Sequence, residues 1–178
     1  MTDTPTLPPV RSAERETLES FLDYFRGVLL RKGAGLTEEQ VRLTLPPSTL
    51  DLLGLVRHMA LVEQWWFTNA LEGTDDPPRW SDNPAAATDE QEWQHLPTDT
   101  MAEALDALRE EIARSRANVA RHESLDDVTA ISVGPPDNPD RFGPRSLRWL
   151  LVHMIEEYAR HCGHADLLRE AADGATGD

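Results

Sequence analysis

The stretch LLVHMIEEYARHCGHADLLRE, residues 150–170, decides the fold class. At ~100° per residue, with Leu147 as zero, Leu151, Met154, Tyr158, Cys162, Ala165 and Leu168 fall within about 60° of one line, the apolar stripe of a long amphipathic helix. Glu157 and His161 come at about −80° and −40°, one turn apart on one flank of that stripe. His164 and His153 lie farther out, at about −100° and −120°. Gly143 and Pro144 introduce the helix, predicted over roughly 144–171 because proline is tolerated in a first turn.

Upstream, LVRHMALVEQWWF, residues 55–67, carries a second helical pattern. Pro46 and Pro47 precede Ser48, and Asp51 stands three residues on, the spacing of a capping box, so a helix is predicted over roughly 49–71 with its stop at Gly73. With His58 as zero, Asp51, Leu55, Leu61, Val62, Trp65 and Asn69 lie within about 60°, which puts His58 in the middle of an apolar stripe. Leu18, Phe21, Leu22, Phe25, Val28 and Leu29 mark another helix over roughly 13–32, ended by Gly33. Thr100 and Glu103 repeat the capping-box spacing ahead of Met101, Ala104, Leu105, Leu108, Ile112, Ser115 and Val119, a further helix. Residues 74–97, with four prolines and with Trp80 and Trp93, read as a long loop. DVTAISV, in the later connector, fits either a short strand or an extended loop. Four helices with two long connections make an all-α bundle that need not run simply up and down.

A chain of 178 residues fits one domain. It is expected over 1–172, with a flexible arm at about 1–10 and a disordered tail over 173–178. Lys and Arg number 17 against 32 Asp and Glu, a formal net charge of −15, so there is no basic footprint for nucleic acid or an anionic membrane. One cysteine excludes an internal disulfide, and the lack of any run of about 18 apolar residues or an N-terminal apolar region makes the cytoplasm the expected location. The acidic runs lack the alternating oxygen ligands and central glycine of a calcium loop.

A carboxylate one turn before a histidine, met by a histidine from a facing helix, binds a borderline divalent ion with a coordination position left open. The candidate ligands are His58, Glu157 and His161. Plainer readings fit the same residues: His58 as a hydrogen-bonded core histidine, Glu157 as a partner of Arg148, Arg160 or a tyrosine, and Glu157 with His161 as helix support. His164 fits a fourth ligand, a group behind the ligands or a general base. His153 reads as rim, His95 and His122 carry no constellation, and Cys162 falls in packing. Trp65, Trp66 and Trp149 read as core fillers, whereas Trp80 and Trp93 line a pocket mouth or pin the loop.

LVRHMALVEQWWF together with LLVHMIEEYARHCGHADLLRE resembles the DinB-like (YfiT-like) superfamily of metalloenzymes, over nearly the whole chain. The resemblance implies a four-helix bundle of up-down-down-up topology with one divalent metal in its core, most often zinc, with nickel or iron as alternatives. It maps the ligands onto His58, Glu157 and His161; HCGH looks like the superfamily's H-x-G-Q. Glu157 stands where histidine is usual, a departure shared with the mycothiol-dependent maleylpyruvate isomerase branch. The implied activity is a transfer or isomerisation that uses a low-molecular-weight thiol such as mycothiol, with the metal activating a thiolate toward an electrophile. His164 and Arg148 then belong to the catalytic machinery, Arg145 anchors a carboxylate of the thiol or substrate, and the chain pairs as a homodimer. Two other classes fit the sequence: a non-enzymatic acidic helical protein with a structural or vestigial metal, and a metal-dependent hydrolase of a small substrate.

Overall fold

A computed structural model describes residues 5–81 and 93–177, and side chains of Asp51, Thr100 and Ser146 cap three of its long helices. Helix α1 (Glu14–Gly33) carries Glu14 and Glu16 in its first turn and Arg31 and Lys32 in its last, charges that complement the macrodipole. After a 3-10 turn at Gln40–Arg42 comes α2 (Leu52–Glu63), which continues as a π-helical stretch, Gln64–Ala70. Helices α3 (Met101–Val119) and α4 (Leu147–Asp173) complete the bundle. The expected Thr100–Glu103 capping box is present at the start of α3. At α2 the cap is Asp51 itself, whose Oδ1 accepts from Gly54 N at 2.8 Å, while Ser48 Oγ accepts from Leu50 N at 3.1 Å; the helix therefore starts later than the sequence spacing indicated. Ser146 caps α4, so Pro144 lies outside it. DVTAISV is an extended loop: among the described residues β-structure is limited to two isolated bridges, Val128 with Ser146 and Val133 with Gly143.

Ion pairs and hydrogen bonds between helices give the direction of each. Arg148 Nε meets Glu14 Oε1 at 2.8 Å and Lys32 Nζ meets Asp166 Oδ1 at 2.7 Å, joining start to start and end to end, so α1 and α4 run parallel. Arg57 pairs with Asp99 at 3.1 Å, and Asn118 Nδ2 donates to the Phe67 carbonyl at 2.8 Å, so α2 and α3 are parallel as well. Gly33, at the end of α1, packs on Met101, Leu105 and Val56 near the starts of α3 and α2, which run opposite to it. The order is up-down-down-up, in an all-α bundle. None of the described helices is long and apolar enough to cross a membrane.

Leu22, Leu29, Leu53, Met59, Phe67, Leu108, Leu150, Met154 and Tyr158 fill the core. On α2 the buried face runs through Val56, Met59, Ala60, Glu63, Phe67 and Leu71. Glu63 is fully buried: Arg26 Nε and Nη2 donate to it at 2.7 and 2.8 Å, and the Tyr158 hydroxyl donates to it at 2.7 Å. Burial works against the Arg26 charge, but the Glu63 carboxylate outweighs it and holds the guanidinium above its ordinary pKa. Trp65, about 20° from His58 on the wheel, was expected inside, but the buried face centres on Glu63 instead and Trp65 is 43% exposed. Trp149, on the outer side of α4, is 42% exposed.

Candidate metal centre

The start of α2 is covered on all sides, and every residue from Asp51 to Ala60 is buried. His58 is therefore inside although it is polar. Across from it, Glu157 and His161 share one edge of α4, as their spacing of four dictates. The three residues offer one ligand atom each, all within 4.8 Å of one another. His161 Nε2 lies 3.3 Å from Glu157 Oε2, and the His58 and His161 rings stand 4.8 Å apart at 66°. A tetrahedral ion with bonds of about 2 Å sets its ligand atoms about 3.3 Å apart, so this spacing and the set of two imidazoles with one carboxylate fit a borderline divalent ion.

Electrostatics prepares the donors. Burial, with the positive charge that His58, His164 and Arg160 would place nearby, pushes His161 down to about 3, so it is neutral and free to donate a lone pair at physiological pH. His164 Nδ1 lies 3.3 Å from His161 Nδ1. If His161 ligates through Nε2, its Nδ1 carries the proton and donates it to His164 Nδ1, which fixes the tautomer from behind. Trp93 lies flat on another candidate ligand: its ring stacks on His58 at 4.0 Å and 20°.

The remaining sequence candidates are elsewhere. Arg148 sits nine residues before Glu157, about 13 Å along the helix, and its guanidinium is held by Glu14 and Asp126. Arg145 donates to the carbonyl oxygens of Gly143, Val133 and Arg141 and lies over the Trp149 ring, so it clamps the connector before α4. Neither is brought to the cluster. His153 is held between Trp66 and Trp149 and, with Glu156 and Glu157, forms a second group of possible ligands, but Arg160 already pairs with both of those carboxylates. Cys162 is buried with Sγ 3.6 Å from the Phe25 carbonyl, in packing as its wheel angle indicated. A cavity of about 490 Å³ opens between α1 and the end of α3, lined by Arg15, Asp23, Arg26 and Arg116 among others, and none of the candidate ligands touches it.

Sequence reasoning passed over two partners. His95 Nε2 lies 2.7 Å from Asp51 Oδ2, although nothing in the sequence linked the two, and His122 pairs with Glu72 at 3.1 Å. The available signal was Gly54, a glycine inside a helix, where close backbone approach is the usual reason.

A family model described as mycothiol-S-transferase matches residues 17–174, from the first turn of α1 through the end of α4, with the three candidate ligands inside it. The chain belongs to the mycothiol-S-transferase family. This agrees with the DinB-like resemblance of its second and fourth helices. Comparison with curated proteins returns no match.

Proposed function

We propose that this family member is a divalent-metal-dependent transferase that joins a low-molecular-weight thiol of the mycothiol type to a small electrophile. One observation carries the reading: His58, Glu157 and His161 converge between α2 and α4, in a mycothiol-S-transferase family chain. Zinc suits two imidazoles and a carboxylate, and nickel or iron accepts the same donors. When bound, the ion supplies the positive charge that holds a thiol as its thiolate near neutral pH.

The chain's own groups prepare that charge balance. His58 and neutral His161 give lone pairs without adding charge, and Glu157 contributes one negative charge. His164 Nδ1, 3.3 Å from His161 Nδ1, is placed to steady that ring with its Nε2 edge toward Glu157. Transfer would join the thiol sulfur to the electrophilic carbon while the leaving group departs with the bonding pair and the thiol proton passes to solvent.

The test is direct. Protein purified without added metal is analysed for bound ions beside His58→Ala, and the zinc-loaded protein is incubated with an electrophile with and without mycothiol. Stoichiometric metal in the wild type, its loss in His58→Ala and electrophile consumption only with thiol are expected. Conversion without thiol would make the protein a hydrolase, and a metal-free wild type would remove the centre altogether.

A further inference from the structure

The segment Trp93–Asp99 is seated on the first turns of α2 by three contacts and tied to the preceding 3-10 turn by Arg42. The Trp93 carbonyl oxygen sits over Gly54, where an alanine Cβ would come within 2.8 Å of it. Asp51 caps the helix with one carboxylate oxygen and holds His95 with the other, at 2.7 Å. Arg57, buried in α2, reaches Asp99 at 3.1 Å, and Arg42 donates to the carbonyl oxygens of Pro97 and Asp99. A glycine in a helix is destabilising relative to alanine; at position 54 it lets this backbone approach.

The seat brings one ring into the centre. The Trp93 indole lies face to face with His58 and also reaches His161, with centroids 5.6 Å apart. An imidazole presents its lone pair in the plane of its ring, so a flat partner that fixes the plane fixes the direction in which the nitrogen points. We propose that Trp93 is a positioning residue for His58, held by the Gly54 seat and the Asp51–His95 pair so that the imidazole plane faces Glu157 and His161. The proposal rests on the metal-centre reading above and adds to it a residue that is not a ligand.

Zinc affinity of the full chain, measured by competition with a chromogenic chelator, tests it in the wild type, Trp93→Ala, Trp93→Phe, Gly54→Ala and Trp65→Ala, with a melting curve for each. Trp93→Ala should weaken zinc binding about 10–100-fold, the range for losing a group that orients a ligand. Trp93→Phe keeps an aromatic face and should recover most of that loss. Gly54→Ala, which displaces the Trp93 carbonyl, should weaken binding in the same direction. Trp65→Ala, removing an exposed tryptophan of the same helical run, should leave affinity unchanged. Equal affinity in wild type and Trp93→Ala, or Trp93→Phe no tighter than Trp93→Ala, overturns the proposal while the metal reading stands. A wild type that takes up no zinc removes both. Should Trp93→Ala fail to fold, Gly54→Ala carries the test, and unchanged affinity there overturns the proposal.

Discussion

At position 157 a carboxylate faces His161 Nε2 where the superfamily resemblance has histidine as the usual residue. Two neutral imidazoles and one carboxylate leave a divalent ion with one net positive charge, whereas three imidazoles leave two. Glu157→His should therefore retain stoichiometric zinc, while Glu157→Leu should lose affinity by at least about 100-fold, the upper end of what removing a supporting group alone produces. Metal analysis after dialysis against a chelator distinguishes the two. His161 supplies a second prediction, for the metal-free protein. Its folded pKa, about 3, lies below the ordinary histidine value, so between those two values the unfolded chain binds a proton that the folded chain does not. Stability contributed by the neutral ring is complete above about pH 6.5 and declines as pH falls toward 3, and His161→Asn should flatten that slope in urea titrations across the range. Wheel angles were enough to place Glu157 and His161 on one edge, because both belong to one regular helix. They could not pair His58 with Trp93, which lies 35 residues on within a proline-rich loop.

In α2 the hydrophobic pattern and the true buried face disagree, and the reason is the Arg26–Glu63–Tyr158 network. Removing Glu63 leaves the buried Arg26 guanidinium with only the part-exposed Asp23 to answer its charge. Glu63→Leu should cost about 3–5 kcal/mol in chemical denaturation, and the double variant Arg26→Met, Glu63→Leu should recover most of it, because a buried pair exchanged for apolar groups is often neutral. Helix ends follow the same logic of local against distant causes. The start of α3 was legible because Thr100 and Glu103 complete their cap within four residues. The start of α2 was not, since Ser48 and Asp51 compete for the role and the choice depends on Asp51 also holding His95.

For the molecule as a whole, the net charge of −15, which counts Glu157, acts on stability through self-repulsion. Raising sodium chloride from about 0.02 to 0.5 M, which shortens the screening length several-fold, should raise the melting temperature by a few degrees, read by circular dichroism. A fall would mean that the surface ion pairs, such as Arg148 with Glu14, outweigh the repulsion. The class and direction of the helices were within reach of the sequence, since periodicity and resemblance act over whole elements. The connectors were not: they lack period, and their placement depends on single contacts such as the one at Gly54.

Because α2 and α3 descend side by side, the chain leaving Gly73 at the foot of one must climb back, a rise of about 28 Å for a helix of this length, before it can start down again at Met101. Trp93, at the end of that ascent, is the ring that covers His58. Insertions or deletions ahead of it would shift that cover while every helix kept its register, so a chain of this topology can change what lies over the candidate ligands without altering the helices that carry them.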